Sequence, residues 1–290
     1  MAVIEIHNLQ KNYGKHIGTR DVTFSVDEGE IYGFVGPNGA GKSTTIKVLM
    51  GFIFAQGGSA SICGLDVVRD TKAIKSFTGY VPSDVRLYPN MRVGELLKRN
   101  AAFYHGDFTG ETKRLCALFE IDTGKRFREL STGNKKKVSI LCALMPGPKV
   151  IVLDEPTSGL DPMMQKLLFE ELERRAALGA TVLLSSHNLA EVEEYCTRVA
   201  FIKDGAILAV TDLSKDAPRR KIITMVGGSA AVPEGLALLR EEGATRVFRT
   251  GLAGHAVLQA LSAMVPDDFT VENESMEAYF WDLYGLEEAQ

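Results

Sequence analysis

The sequence predicts an α/β fold. It reads as a mostly parallel sheet with an antiparallel sheet at its N-terminal end, a helical insert, and a small α+β domain after it. Three observations predict this. The apolar run Ile31 to Val35 leads directly into Gly36-Pro37-Asn38-Gly39-Ala40-Gly41-Lys42-Ser43-Thr44-Thr45 and then into a helix-like segment. Gly36, Gly41, Lys42 and Ser43 fall in the G-x-x-x-x-G-K-[ST] spacing, in the strand–loop–helix context that this phosphate loop requires. A second apolar run, Lys149 to Leu153, ends in Asp154-Glu155 and reads as a buried parallel strand. Strand-like and helix-like segments alternate around both, as in a parallel α/β core.

With 290 residues, a large domain followed by a small one is expected, at residues 1–212 and 213–290 with the helical insert over about 85–145. The hydrophobic content of 45% and charged content of 24% are those of an ordinary soluble globular protein. Net charge is −4, from 33 basic and 37 acidic residues, so nothing global points to nucleic acid. No uninterrupted apolar run approaches the roughly 18 residues of a membrane helix, and MAVIEIHNLQKNYGK lacks the layout of a secretory signal. Cys63, Cys116, Cys142 and Cys196 are widely spaced without a C-x-x-C, which argues against zinc or a disulfide framework. They read as small core residues in a reducing compartment, with the cytoplasm as the default.

In chain order, Val3 to Ile6 and Val22 to Val26 alternate as strands, separated by the turn-forming Asn12-Tyr13-Gly14 and Lys15 to Gly18. Tyr13, taken alone, is a surface turn residue. Asp27 to Glu30 is a tight turn feeding the strand Ile31 to Val35, and Thr45 to Met50 is the helix after the phosphate loop. Ser59 to Cys63 reads as a strand, Asp70 to Phe77 as a short helix, and Thr78 to Val81 as a strand running into a loop broken by Pro82. Val93 to Tyr104, Thr112 to Phe119 and Gly133 to Met145 have helical periodicity. Pro162 to Leu178 is a helix with proline in its first turn and glycine past its end. Thr181 to Leu184 is a buried strand, Leu189 to Cys196 a helix, and Arg198 to Lys203 with Ala206 to Val210 a hairpin around Asp204-Gly205. After a polar break at Asp212 to Arg220, which carries Pro218, three strands are expected at Ile222–Val226, Arg246–Arg249 and Phe269–Val271. Three helices are expected at Leu236–Arg240, Gly254–Met264 and Met276–Leu283.

The chemistry gathers at the two apolar strands. Glycines let backbone N–H groups surround phosphate oxygens without Cβ clashes, and a helix N-terminus adds a favourable dipole. Lys42 supplies a point charge for the β/γ-phosphates and Ser43 a hydroxyl for Mg²⁺. The competing reading is a glycine-rich turn with a chance lysine. A strand ending in Asp154 can orient Mg²⁺ through its water shell, and the adjacent Glu155 can polarise an attacking water. A strand ending in an acidic pair is a weak signal alone and a strong one beside the phosphate loop.

In the order of its motifs, over about the first 210 residues, the chain resembles the ATP-binding subunits of ABC transporters. Gly36 to Ser43 is similar to the family's Walker A loop, where Gly36, Asn38, Gly39, Ala40, Gly41, Lys42, Ser43 and Thr44 would hold ATP. Val150 to Asp154 is similar to its Walker B strand, with Ser43 and Asp154 on Mg²⁺ and Glu155 where the family keeps its catalytic base. Ser158-Gly159-Leu160-Asp161 matches the D-loop, and His187 in Leu184-Ser185-Ser186-His187 sits at the switch histidine. Tyr13 falls where the family stacks an aromatic on adenine. The family's signature, close to LSGGQ, reads here Leu130-Ser131-Thr132-Gly133-Asn134, which keeps Ser131 and Gly133, the positions that reach ATP on the opposite subunit. Ser131 also suits a plain helix N-cap. Where the family commonly has a Q-loop glutamine this chain has Ser83 followed by Asp84; either water bridges to the metal or Asp84 substitutes.

The resemblance implies an ATPase that powers a membrane transporter through closure of two nucleotide-binding subunits around ATP. Separate integral membrane permease subunits and a second, identical or related, nucleotide-binding subunit would be its partners, with no nucleic acid. Its place would be the cytoplasmic face of the cell membrane. The altered signature and the tail Glu274-Ser275-Met276-Glu277-Ala278-Tyr279-Phe280 resemble the bacterial drug- and antibiotic-export branch. The alternatives are a soluble ABC-type ATPase that remodels a protein or nucleic-acid partner, and a regulatory nucleotide-binding module with little hydrolysis.

Overall fold

The phosphate-loop strand, β3 (Ile31–Val35), lies inside a ten-stranded mixed sheet and is buried along its whole length. The computed structural model describes residues 1–14, 16–214, 217, 219–228 and 231–285, and the chain divides into two units, Met1–Leu213 and Ser214–Gln290. Lys15, and Pro218 of the expected polar break, fall outside the described residues.

In the first unit β3 is flanked in parallel by β8 (Thr181–Ser186) and β9 (Arg198–Lys203). β7 (Val150–Asp154) continues the parallel run beyond β8, and β6 (Thr78–Val81) closes that edge. On the other side β9 pairs antiparallel with β10 (Ala206–Asp212), which meets β2 (His16–Asp27). An antiparallel wing follows: β2 with β1 (Ala2–Tyr13), then β4 (Gly57–Ile62) and β5 (Leu65–Asp66). The antiparallel sheet and the parallel core are therefore one surface, and Ile4, Ile6, Phe24, Phe34, Ile46, Val152 and Ile202 belong to a single buried cluster. Phe24 sits with its ring centroid 5.3 Å from Tyr32 and 5.2 Å from Phe34, joining the wing to the phosphate-loop strand. Each such fully buried side chain contributes roughly 1.5–3 kcal/mol relative to exposure.

The helices are α1 (Lys42–Leu49), α2 (Thr71–Phe77), α3 (Val93–Ala101), α4 (Thr109–Leu118), α5 (Thr132–Leu144), α6 (Pro162–Ala176) and α7 (Leu189–Tyr195). Three local expectations need correction. Asn12 and Tyr13 lie in β1 rather than in a turn, and the reversal is confined to the residues around Gly14. Register shifts after Ile6, Leu9 and Lys11 interrupt the period-two alternation that marks a strand, so the second half of β1 reads as polar loop. Helix α1 starts at Lys42, not Thr45, because Gly41 at φ +114° forms its N-cap and its polar first turn masks the start. Of the cysteines only Cys196 is buried; Cys63 is exposed in a left-handed turn position at φ +52°, and Cys116 and Cys142 are half-buried.

The second unit pairs β12 (Leu236–Glu242), β13 (Thr245–Thr250), β11 (Lys221–Val226) and β14 (Asp268–Asn273) in that order, all antiparallel. Helix α8 (Gly254–Met264) supplies Val257, Leu261 and Met264 to a core with Ile223, Met225 and Phe248. Helix α9 (Met276–Tyr284) begins at a Ser275 cap. Leu236–Arg240, expected as helix, is the strand β12. Its residues are helix formers, but pairing with β13 across a turn at Gly243 (φ +61°) overrides that preference. A register shift between Leu238 and Arg240 also hides the strand period. Among the described residues no helix is long and apolar enough to cross a membrane.

Candidate functional site

The phosphate loop is shaped by backbone pressed against it from behind. A Cβ on Gly41 would stand 2.4 Å from the Gly18 carbonyl oxygen, and one on Gly36 would stand 2.3 Å from that of Ile202. Only glycine fits at either position. The Gly205 N–H donates to the Ala40 carbonyl at 2.9 Å, and the Ala40 N–H to that of Pro37 at 3.2 Å. The loop is thereby held to the β9–β10 turn while Pro37, Asn38 and Gly39 stay exposed at its tip. No acidic residue and no side-chain cap occupies the first turn of α1 among the described residues, so its positive end is left to an external anion. Tyr13 is half-exposed, and its ring edge and the Thr44 methyl each stand 3.0 Å from where a Gly18 Cβ would lie. Lys11 carries its ammonium 5.6 Å from the Tyr13 ring centroid.

The acidic pair faces this loop. Lys42 donates to the carbonyls of Gly36 at 2.5 Å and Pro37 at 3.2 Å, and its Nζ lies 3.9 Å from Glu155 Oε1. Burial lowers the Lys42 pKa, opposed by the charges of Glu155 and Asp154. The Ser43 hydroxyl donates to Asp154 Oδ1 at 3.1 Å, and the Ser185 hydroxyl donates to the same oxygen at 2.7 Å. Asp154 is fully buried, and its second oxygen has no hydrogen-bond partner. Glu155 departs from the strand at φ +49°, where its N–H is held by both the carbonyl (3.2 Å) and the hydroxyl (3.1 Å) of Ser185. Backbone strain of this kind, of order 1–3 kcal/mol, persists only where surrounding contacts fix it. His187 Nδ1 is 3.6 Å from Glu155 Oε1, on a ring that is 65% exposed.

The structure thus brings Lys42, Ser43, Asp154, Glu155 and His187 together. Ser131 and Gly133 lie elsewhere on the chain: among the described residues no hydrogen bond or ion pair joins them to residues 36–44. The Ser131 hydroxyl caps α5 by accepting from the Asn134 N–H at 3.3 Å, and a Cβ on Gly133 would stand 2.4 Å from the Gly159 carbonyl. Asp161 caps α6 through the Met164 N–H at 3.0 Å. Ser83 and Asp84 are exposed, and the Asp84 carboxylate pairs with Arg86 at 2.7 Å.

Residues 19–158 match the ABC transporter family. The chain is 32% identical to the Nod factor export ATP-binding protein I of Paraburkholderia xenovorans, over 88% of its own length and 85% of that protein's. The chain belongs to the ABC transporter ATP-binding subunits. A linearmycin resistance ATP-binding protein of Bacillus subtilis is 34% identical over 73% of the chain and 70% of its own length. Among solved structures, an ATP-binding subunit of an ABC transporter matches with a TM-score of 0.68 at 33% identity, over 73% of this chain and 90% of that one. A dimeric bacterial ABC transporter cassette matches with a TM-score of 0.63 at 25% identity, over 72% and 98%.

As a member of this family the ATP-binding subunit is an ATPase that uses Mg²⁺. Its residues fit the ion: a hydroxyl and a fully buried carboxylate with one unpartnered oxygen are hard donors suited to a hydrated divalent cation. When bound, that cation would neutralise charge on the phosphates.

Three polar contributors escape a reading of the sequence. Ser185 holds both acidic residues and is hidden inside an apolar strand. Glu191, nearly buried, accepts from Thr157 at 3.0 Å and Ser186 at 3.4 Å, one residue before His187. Lys136 sits in Lys135-Lys136-Lys137, which looks like a solvated charge run, yet Lys136 and Lys137 are buried. The signal for them is that α5 has no polar face beyond residue 137 except Ser139, so the helix is buried around its circumference.

Proposed function

We propose that the chain hydrolyses ATP with Glu155 as general base and powers an exporter built with separate integral membrane subunits, at the cytoplasmic face of the cell membrane. The observation that carries the catalytic reading is the Glu155 carboxylate, 3.9 Å from the phosphate-loop lysine and 3.6 Å from His187, on a backbone fixed by Ser185. Lys42 and the loop glycines bind and orient the phosphate chain, with Ser43 and Asp154 holding Mg²⁺. Glu155 accepts the proton of the attacking water. Lys42 offsets charge on the transferring phosphoryl group, and His187 Nδ1 or Nε2 orients the γ-phosphate or water. Tyr13 lies beside the adenine. Ser131 and Gly133 complete the ATP site of a second nucleotide-binding subunit, with Asp161 and its loop at the same contact. Ser83 and Asp84 belong to the loop that meets the membrane subunit.

Export is supported by the names of the relatives, a Nod factor export protein and a linearmycin resistance protein. A groove of about 380 Å³ beside the Ser83 loop supports a docked partner. Phe52, Tyr80, Val85, Leu87 and Tyr104 line it, and Phe52 and Tyr88 are exposed around it. The accessory unit after residue 213 acts as an interaction domain in this reading. Glu155→Gln abolishes steady-state phosphate release and preserves ATP binding; release at the parental rate rules out Glu155 as the base. Affinity purification from detergent-solubilised membranes recovers a multi-span membrane protein. Recovery of soluble protein or nucleic acid alone sinks the transporter reading.

A further inference from the structure

Lys136 is 2% exposed, and a buried lysine is costly unless its ammonium is fully hydrogen-bonded. Its Nζ donates to three carbonyl oxygens: Pro82 at 3.0 Å, Ser83 at 2.8 Å and Glu155 at 3.2 Å. An ammonium has three protons, so these acceptors use its whole capacity. The acceptors come from two segments. Pro82 and Ser83 follow β6, and Glu155 follows β7. The lysine itself stands five residues after Ser131, on α5. One side chain therefore ties three pieces together: the helix that presents Ser131, the loop where the family's glutamine is missing, and the backbone of the acidic residue beside Lys42. Glu155 is held at φ +49° from one side by Ser185 on its N–H and from the other by Lys136 on its carbonyl. Ser83 is too short to reach into the site as a glutamine would, so its loop connects to Glu155 through backbone rather than side chain.

We propose that Lys136 is a positioning residue that locks the loop 82–83 and the carbonyl of Glu155 to α5, so that movement of the loop re-aims the Glu155 carboxylate. It rests on Glu155 being the base. Among the described residues the Lys136 ammonium has no hydrogen bond to the phosphate loop, so its loss is expected to act on turnover rather than on ATP affinity. A misplacement of about 1 Å costs up to about 100-fold in rate.

The test uses the full chain with Lys136→Met, which keeps length and removes the donors, and Lys136→Arg, which restores donors. In Lys136→Met, kcat falls by about 10-fold or more while KM for ATP stays within about twofold, and Lys136→Arg recovers turnover above the Met level. Trypsin cleavage after exposed Arg86 speeds up in Lys136→Met at unchanged helical circular dichroism. If Lys136→Met does not fold, Lys136→Gln, which keeps two donors, carries the same kcat-against-KM split. Parental kcat, a parallel loss of ATP affinity, unchanged cleavage at Arg86, or an Arg variant no better than Met each overturns the proposal. Glu155→Gln runs alongside. Parental turnover in Glu155→Gln with a slow Lys136→Met removes the base assignment, whereas a dead Glu155→Gln with a parental Lys136→Met removes only the proposal on Lys136.

Discussion

Glu191 brings a carboxylate into a nearly closed place between the segment after Glu155 and the one that carries His187. Burial raises its pKa above the ordinary carboxylate value, and hydrogen bonds from Thr157, Asn188 and Ser186 oppose the rise. A raised acid pKa in the folded state means that the native protein favours the protonated form. The stability this confers is present below the usual value and is lost as pH rises through the raised one. Glu191→Gln removes the ionisation and keeps the shape. The thermal midpoint of the variant matches the parent near pH 4 and exceeds it at pH 8, by the equivalent of about 1 kcal/mol. A variant less stable than the parent at pH 8 would show that the accepted hydrogen bonds outweigh the burial. Residues of this kind are illegible in the sequence. Glu191 sits in Glu191-Val192-Glu193-Glu194 and Lys136 within three lysines, and only packing decides which member of such a run turns inward. Lys42, Asp154 and Glu155 were legible because loop spacing and strand ends fix where they must stand.

At the scale of elements, the helical insert is joined to the core by charge. Glu171 on α6 is 3% exposed and pairs with Arg114 on α4 at 2.7 Å, Arg174 at 2.9 Å and Arg175 at 2.7 Å. Glu111 on α4 returns the contact to Arg175 at 2.7 Å. Burial alone would raise the Glu171 pKa, but hydrogen bonds from Arg174 and Arg114 and the charge of Arg175 bring it down to about 2. A depressed acid pKa gives stability that is present above the ordinary value and lost as pH falls through the folded one. Glu171→Gln therefore costs about 1.5–3 kcal/mol at pH 7, because buried Arg175 keeps Glu111 but loses its other carboxylate partner. The gap between variant and parent narrows as pH drops from the ordinary value of 4.5 toward about 2. Urea midpoints at pH 7 and pH 3 measure it, with hydrogen exchange in α4 reporting its release from α6. An equal gap at both pH values would show that shape, not charge, holds the helices. The helices themselves could be read from periodicity and caps. The clamp could not, since Glu111 and Glu171 are 60 positions apart and nothing local marks them as partners. For the same reason β12 reads as helix: its strand character comes from β13, not from its own residues.

At the scale of the whole molecule, the order of motifs was legible and the sheet that joins them was not. Within the sheet, the strand pairing that joins wing to core is one parallel pair, Ala206 with Asp21, beside Gly205 accepting from Arg20 and Asp21, which no periodicity announces. That junction places Gly18 against the phosphate loop and so brings Tyr13 beside Thr44. Among the described residues no hydrogen bond or ion pair joins the phosphate loop to the segment Ser131–Gly133, which is what a site shared between two subunits requires. A mixing experiment decides whether it is shared. Lys42→Ala spoils the loop and keeps the signature, while Ser131→Arg does the reverse. In a mixed dimer one site receives both defects and the other receives neither. Each variant alone is inactive, and an equal mixture recovers about a quarter of parental ATPase activity, since about half of the dimers are mixed and each has one intact site of two. Recovery that rises with total protein concentration marks the intact site as one formed by association. An inactive mixture, with both variants shown to bind each other, would place the whole ATP site within one chain and leave Ser131 as no more than the N-cap of α5.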